Sequence, residues 1–139
     1  MKTYKSKRGS LISIPVIGFI LLPIIIFFLD KKNLMENPLL LLILFLPIIL
    51  LLWIYFDTYY VIDGQKLKYH SAFIKGEIKI SNIREIVKGQ TTWVGIKPAL
   101  ARNGLIIKFN KFDEIYISPI SNDMMISDLI EVNPNIKII

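Results

Sequence analysis

Two long runs without a charged residue occupy most of the first half of the chain. One extends over 19 residues from Leu11 to Leu29, and the other over 18 residues from Leu39 to Phe56. A helix rises about 1.5 Å per residue, so each run would form a helix close to the ~30 Å hydrocarbon thickness of a bilayer. The pattern predicts two membrane helices, at about residues 11–29 and 39–56.

The nine residues between the two runs, Asp30 to Pro38, contain charges and turn formers. A connector this short cannot hold a domain, so the two helices are expected to form an antiparallel hairpin. Pro38 suits the first turn of the second helix. Pro15 and Pro23 lie inside the first run, where a membrane helix tolerates proline better than a soluble one.

A basic start followed by an apolar run is also the pattern of a signal peptide. Signal peptides have a shorter apolar region, about 7–15 residues, and end in a small-residue cleavage site. Here the run is longer and ends in FFLDKKN, without such a site. The membrane-helix interpretation is therefore preferred.

The pattern changes at Thr58, where short stretches of alternating polar and apolar residues begin. Asp63-Gly64 separates two β-prone stretches and is a strong signal for a hairpin turn. The remaining stretches predict strands at Gly76–Ile80, Ile83–Val87, Gly104–Phe109 and Glu114–Ser118, with a turn at Asn110–Asp113 and an irregular segment at Gly89–Asn103.

A final amphipathic stretch predicts one C-terminal helix. Ser121 or Asn122 can cap its start, and Asn133-Pro134 ends it. Apolar positions recur on one face at helical spacing, at Met125, Ile126, Leu129, Ile130 and Val132. Strands followed by one such helix predict a compact α+β unit, in which the helix caps a small antiparallel β-roll or barrel.

Composition separates the chain into two parts. The hydrophobic fraction of 53% exceeds the usual ~45–50% of soluble domains, and the excess lies almost entirely before Phe56. We therefore predict a membrane hairpin over residues 1–56 and a soluble domain over residues 57–139. The chain contains no cysteine, which excludes disulfides and thiolate metal sites and favours a cytoplasmic face for the soluble part.

The net charge of +6 is concentrated around the membrane hairpin. Residues 1–56 contain six Lys or Arg against two acidic residues, whereas residues 57–139 contain eleven against nine. This distribution suits an anionic lipid surface better than nucleic acid. The tail before the first run carries four cations and the connector two, so the positive-inside rule predicts a cell-membrane protein with both termini in the cytoplasm.

Residues that usually carry catalysis or bind metals are sparse. His70 is the only histidine, and a metal site needs several His, Cys or carboxylate ligands. Asp113 and Glu114 are interpreted as solvated turn residues, and Ser118 has neither a nucleophile-elbow context nor a base placed to activate it. No glycine-rich phosphate loop is present. We therefore predict no catalytic, cofactor-binding or metal-binding residues, no cofactor and no enzymatic activity.

Two sets of residues are candidates for binding. Lys66, Lys68, Lys75 and Lys79 are candidates for contacts with lipid headgroups; the alternative is an ordinary solvated strand face. Trp93, Lys97 and Arg102 are candidates for a recognition surface; the alternative places Trp93 in the core. Membrane lipids and a protein are the predicted partners. Nucleic acid is disfavoured because the soluble part carries so small a net charge.

The order of these segments resembles a known family. Two apolar runs precede the stretches YYVIDGQKLKY, IKISNIREI, PALARNGLIIKF and EIYISP, and a final helix ends in NP. This arrangement is similar to bacterial PH-like domains of the YyaB-like type. The resemblance implies two antiparallel sheets closed at one end by the C-terminal helix, and it implies no enzymatic activity. The family often has an acidic or serine-rich stretch where this chain has Ala101–Asn103, so the resemblance extends to the fold rather than to surface chemistry.

Three functions are consistent with these features. The leading hypothesis is a non-enzymatic membrane protein whose PH-like domain binds a protein or lipid headgroups at the cytoplasmic face. One alternative is a bacteriocin or antimicrobial-peptide immunity protein, and the other is an accessory subunit of a larger membrane complex. At most two residues, Asp57 and Thr58, separate the second apolar run from the first predicted strand, so the soluble domain is expected to be held close to the membrane surface.

Overall fold

The computed structural model describes all residues from 1 to 139. Four helices and eight strands follow one another along the chain, together with a single 3₁₀ turn at Ile80–Asn82. In chain order the elements are β1 (Lys2–Lys5), α1 (Ser10–Leu29), α2 (Lys31–Glu36), α3 (Pro38–Phe56), β2 (Thr58–Asp63), β3 (Lys66–Ser71), β4 (Ile74–Lys79), β5 (Ile83–Lys88), β6 (Leu105–Phe109), β7 (Asp113–Ile117), α4 (Asn122–Val132) and β8 (Lys137–Ile138).

The two apolar runs form α1 and α3, which pack against each other as an antiparallel hairpin. The start of α1 lies beside the end of α3, where Ile17 and Leu52 line one shallow pocket. The later turns of α1 lie beside the start of α3, where Phe27 and Leu41 line a second pocket. Both helices are long and apolar enough to cross a membrane. Most of their large side chains are exposed, as a lipid-facing hairpin requires.

The connector between the two long helices is itself helical. The sequence predicted a turn-rich connector, but Lys31–Glu36 forms the short helix α2. The side chain of Asp30 accepts a hydrogen bond from the backbone N–H of Asn33 at 3.2 Å and so caps the start of α2. Pro38 occupies the first turn of α3, as predicted.

The first sheet has the strand order β1-β2-β3-β4, and all its pairs are antiparallel. The hairpin predicted at Asp63-Gly64 joins β2 to β3. Gly64 adopts a φ of +56° there, a left-handed conformation that a residue without a Cβ reaches at no steric cost. A second tight turn at Ala72 and Phe73 joins β3 to β4 at the opposite end of the sheet.

The N-terminal tail is part of this sheet. Residues 1–10 have the composition of a short basic tail, but Lys2–Lys5 pairs with β2, with Thr3 opposite Val61 and Lys5 opposite Tyr59. A stretch of four residues that includes two lysines is too short for its polar–apolar alternation to predict a strand. The strand is stabilised instead by its hydrogen bonds to β2. The first sheet therefore contains residues from both sides of the predicted domain boundary at residue 57.

The second sheet has the strand order β7-β6-β5-β8, and its core face packs against α4. Met125 and Leu129 of α4 are fully buried among core residues of both sheets. Ser121 caps α4 by accepting a hydrogen bond from the N–H of Met124 at 3.3 Å, as predicted. The two sheets remain open, so the α+β unit is a PH-like roll with a C-terminal helix and not a closed barrel.

Two details of the second sheet differ from the sequence prediction. Asp113, assigned to a turn, is the first residue of β7 and pairs with Phe109. Lys137 and Ile138 form β8, which runs parallel to β5. A strand of two residues carries no periodic signal, so it was not predicted.

Candidate binding surfaces at the helix–domain junction

Both long helices enter the α+β unit at the same end of the first sheet. Strand β1 ends at Lys5, and four residues separate it from the start of α1 at Ser10. Helix α3 ends at Phe56, and β2 begins at Thr58. Because β1 and β2 are hydrogen-bonded neighbours, the sheet is connected to the helical hairpin through two adjacent strands. We call this region the junction.

A buried cluster of hydroxyl groups holds the junction together. The Oγ atoms of Ser6 and Ser118 lie 2.9 Å apart, and the N–H of Ser118 donates to the hydroxyl of Tyr60 at 3.0 Å. Tyr60 in turn donates to the carbonyl of Pro98. Burial raises the pKa of Tyr60 above its ordinary value of 10.0, so the hydroxyl stays protonated and available as a donor. The cluster ties the tail, β2 and the segment after β7 into one unit.

The side-chain oxygen of Ser118 accepts two further hydrogen bonds in this cluster. The residue is 1% exposed, and its Oγ accepts hydrogen bonds from the backbone N–H groups of Leu100 at 3.0 Å and Ala101 at 3.3 Å. A side chain so enclosed cannot reach a substrate. The residue serves to fix the loop at residues 98–101 against the end of β7.

The same loop contacts the start of α1. A Cβ atom built on Gly9 would lie 2.7 Å from the Cβ of Ala101, which is closer than real side chains approach. One residue into α1, Leu11 packs against the buried side chains of Val87, Ile106 and Tyr116. Helix α1 is therefore seated on the second sheet as well as tethered to the first.

The four candidate headgroup lysines share the outer face of the first sheet. Lys66 lies opposite Lys79 in the β3–β4 register, and Lys68 lies two residues from Lys66 on the same face. Lys75 is opposite His70. Lys66 and Lys68 form ion pairs with Glu77 and Asp63, whereas Lys75 and Lys79 form none.

These lysines lie at different distances from the helical hairpin. Lys75 belongs to the outward-facing row of the sheet that is nearest the junction, and this row also contains Lys5, Tyr59 and His70. The row of Lys66 and Lys79 lies four residues farther along the strands, about 13 Å at 3.3 Å per residue. His70 stacks on the ring of Tyr59, with centroids 5.0 Å apart, and its Nε2 lies 2.8 Å from the carboxylate of Asp57.

The predicted recognition residues come together around one exposed ring. Trp93 is 71% exposed, so the alternative that placed it in the core is wrong. The Nζ of Lys97 lies 5.4 Å from the centroid of the indole ring, and the Cζ of Arg102 lies 5.9 Å from it. Both distances are typical of cation–π contacts. We call Trp93, Lys97 and Arg102 the tryptophan cluster.

A sequence comparison identifies the domain that carries these surfaces. The family model described as bacterial PH domain matches residues 58–133, which is more than half of the chain. The chain belongs to the bacterial PH domain family. The match begins at the first residue of β2 and ends one residue after α4. No curated protein and no solved structure is significantly similar to the chain.

Membership of this family agrees with the architecture. PH domains are typically binding modules without catalytic activity, and the two open sheets with a C-terminal helix fit that fold. Strand β1 and the helices α1 to α3 lie outside the matched PH domain. The YyaB-like subtype stays a prediction that is consistent with the match.

A cavity that the sequence did not predict opens where the PH domain meets the helical hairpin. Its volume is about 550 Å³. Its walls come from the tail, the last turn of α3, the start of β2 and the segment after β7. They include Lys5, Lys7, Arg8, Tyr55, Phe56, Tyr59 and Ile120. Its two sides are about 50 residues apart in sequence, and the pairing of β1 with β2 and the packing of α1 against α3 bring them together.

The ion pairs of the PH domain predict a loss of stability in acid. Hydrogen bonds from lysines hold the pKa values of three carboxyl groups below their ordinary values of 3.8 for Asp and 4.5 for Glu, namely Asp63 with Lys68, Glu77 with Lys66 and Glu85 with Lys108. A lowered folded-state pKa gives stability that is present above the unfolded-state pKa and is lost as the pH falls through the folded-state value. We therefore expect the Tm of the full chain, measured in detergent, to decrease as the pH is lowered beneath about 4.5.

Replacing the three lysine partners by glutamine provides the control for this measurement. The triple variant, Lys66→Gln/Lys68→Gln/Lys108→Gln, should show a smaller drop in Tm between pH 6 and pH 3 than the unmodified chain, because the largest cause of each lowered carboxyl pKa is removed. Equal acid sensitivity of the two proteins would show that these pairs do not couple folding to pH.

Proposed function

We propose that this chain is a non-enzymatic integral membrane protein that presents its PH domain at the cytoplasmic face, as a binding module for proteins or lipid headgroups. One observation carries the proposal. The first sheet of the PH domain is extended by β1, and the chain passes from two adjacent strands of that sheet into two helices long enough to span a bilayer. A domain attached in this way is held at the membrane surface in one orientation.

The pairing of β1 with β2 also supports the proposed topology. These strands flank the helical hairpin on either side in sequence, and they can pair only if the hairpin returns to the side of the membrane from which it started. Two crossings satisfy this requirement. The basic residues of the tail then assign that side to the cytoplasm.

The tryptophan cluster is the surface that we propose for a protein partner. Exposed aromatic side chains with neighbouring cations are enriched in the parts of interfaces that contribute most binding energy. Val94 and Ile96 are exposed beside Trp93 and extend its apolar surface. Three apolar side chains that are each more than half exposed thus belong to one short segment, residues 93–96.

For lipid headgroups, Lys75 is the strongest of the four lysine candidates. It lies in the row nearest the junction and has no ion-pair partner. Lys66 and Lys79 lie about 13 Å farther away, beyond the ~8 Å Debye length at physiological ionic strength. Their contribution to headgroup binding should therefore be smaller.

Photo-cross-linking from the tryptophan cluster in cells tests the protein-binding role. A photoreactive amino acid at position 93 of the full chain is expected to give a discrete adduct, and Lys97→Glu/Arg102→Glu should reduce its yield at least fivefold. Position 112 is the matched control, because Phe112 is 84% exposed and also lies beside a cation, with the Nζ of Lys111 at 5.2 Å from its ring.

Comparing the adducts at positions 93 and 112 distinguishes a surface that binds a specific protein from one that is only exposed to solvent. The proposal predicts an adduct at position 93 that is absent at position 112. The same adducts at both positions, or an adduct that survives the charge reversal, would contradict a binding role for the tryptophan cluster.

A further inference from the structure

We propose that the cavity at the junction binds the phosphate headgroup of an anionic phospholipid. This inference rests on the proposed membrane location of the hairpin and adds a defined site to it. Most of the residues that carry it lie outside residues 58–133, so it concerns the junction rather than the PH domain alone.

The charge of the cavity favours an anion. Three of its wall residues, Lys5, Lys7 and Arg8, are cationic, and no Asp or Glu lines it. None of the three cations takes part in an ion pair within the chain. The nearest carboxylate in sequence, Asp57, is occupied by His70 at 2.8 Å and by the indole N–H of Trp53 at 3.2 Å.

Aromatic contacts hold one of these cations in place. The Cζ of Arg8 lies 4.5 Å from the ring centroid of Tyr55 and 5.5 Å from that of Phe56. A guanidinium resting on aromatic faces loses little further freedom on binding, and its N–H groups remain available for paired hydrogen bonds to phosphate oxygens. The site is thus partly organised before a ligand arrives.

The backbone on either side is fixed by the sheet. Lys5 pairs with Tyr59 in the β1–β2 register, and its carbonyl accepts a hydrogen bond from the N–H of Ile120 at 3.1 Å. The N–H of Lys7 donates to the carbonyl of Ser118 at 2.6 Å. Two of the three cations are therefore carried by ordered backbone rather than by a free tail.

The apolar part of the walls distinguishes a lipid from a free phosphate ion. Phe56 is 70% exposed and Ile120 is 66% exposed, and both line the cavity. A free phosphate would leave these side chains in water, whereas the glycerol and upper acyl chain of a phospholipid would cover them. The cavity lies at the last turn of α3, where a membrane-spanning helix reaches the headgroups. Its volume is within the ~300–1,000 Å³ range of ligand sites.

Native mass spectrometry of the full chain in detergent, titrated with phosphatidylglycerol or phosphatidylcholine, tests the site. We expect one phosphatidylglycerol to bind per chain at least tenfold more tightly than phosphatidylcholine. Lys5→Gln/Lys7→Gln/Arg8→Gln should weaken phosphatidylglycerol binding at least tenfold. The control Arg84→Gln/Lys111→Gln/Lys137→Gln removes two lysines and one arginine from exposed positions outside the cavity. It should change the affinity for phosphatidylglycerol less than twofold.

Three results would overturn the proposal. Equal weakening in the two triple variants would indicate diffuse attraction, and equal affinity for the two lipids would indicate no anion site. Displacement of the lipid by millimolar inorganic phosphate would indicate a site for the free ion. A parallel experiment treats cell membranes with alkaline carbonate and measures whether the chain is extracted, which tests the membrane location separately from the lipid site. If the chain is extracted, the proposed membrane function fails; if it resists extraction but shows no lipid preference, only the site fails.

Discussion

The fragment 57–139 should be markedly less stable and more prone to aggregate than a fragment that retains the N-terminal tail. Without residues 1–9 the fragment lacks β1, so β2 becomes an exposed edge that can pair with other chains. It also lacks Ser6 from the buried hydroxyl cluster, and Lys2 and Tyr4, which both bond to Asp128 of α4. Each lost hydrogen bond of the β1–β2 ladder and the buried Ser6–Ser118 hydrogen bond contribute about 1 kcal/mol, so a destabilisation of about 3 kcal/mol or more is expected.

The comparison protein joins residues 1–9 to residues 57–139 through a flexible linker of about eight residues, which can close the short gap between adjacent strands at little entropic cost. Urea unfolding gives the free energy of unfolding of both fragments, and sedimentation velocity gives their association state. The linked fragment should be monomeric and more stable. Equal stability and equal monomer content would show that β1 is dispensable and that residue 57 is a true domain boundary.

Replacing Tyr60 by phenylalanine should destabilise the full chain by about 2–4 kcal/mol. The substitution removes one hydroxyl but leaves the buried N–H of Ser118 and the carbonyl of Pro98 without their partner. Each unsatisfied buried group costs about 1–3 kcal/mol. Because the hydroxyl joins the tail to the PH domain, the same variant should loosen the junction.

Tyr59→Phe is the matched control for this variant. Tyr59 is the adjacent residue and points to the opposite, outer face of the sheet, so the same hydroxyl is removed from a more exposed site. Urea unfolding in detergent micelles should show a lowered midpoint for Tyr60→Phe and little change for Tyr59→Phe. Equal midpoints for the two variants would contradict a structural role for the buried hydroxyl cluster.

Much of the fold follows from local pattern. The uncharged runs predicted α1 and α3, Asp63-Gly64 predicted the first hairpin, and the apolar face at Met125 and Leu129 predicted α4. These signals are strong because periodicity and turn chemistry agree over many residues. Strands β1 and β8 were missed because they are short and gain their stability from pairing with β2 and β5.

The candidate surfaces were predictable to different degrees. Trp93, Lys97 and Arg102 lie within ten positions of one another, so their juxtaposition could be anticipated from the sequence, although the exposure of the ring could not. The cavity at the junction could not be anticipated. Arg8 and Tyr55 are far apart in sequence, and the hairpin geometry and the unpredicted strand β1 bring them together.

If the PH domain is held against the membrane surface in one orientation, two spin labels at opposite ends of the domain must lie at different depths, and measuring these depths tests the attachment most directly. The chain contains no cysteine, so Phe73→Cys and Phe112→Cys each give a single labelling site. Phe73 lies in the β3–β4 turn, level with the start of β2, because Ser71 pairs with Thr58. Phe112 lies just before β7. The other end of β7, Ile117, lies at the junction, and it is five residues or about 17 Å from Phe112.

Power-saturation electron paramagnetic resonance of the full chain in lipid bilayers measures the exposure of each label to oxygen and to an aqueous nickel complex. We expect the label at position 73 to lie at the level of the headgroups and the label at position 112 to lie fully in water. Equal aqueous exposure of the two labels would contradict the attachment, because the PH domain would then be free of the membrane surface.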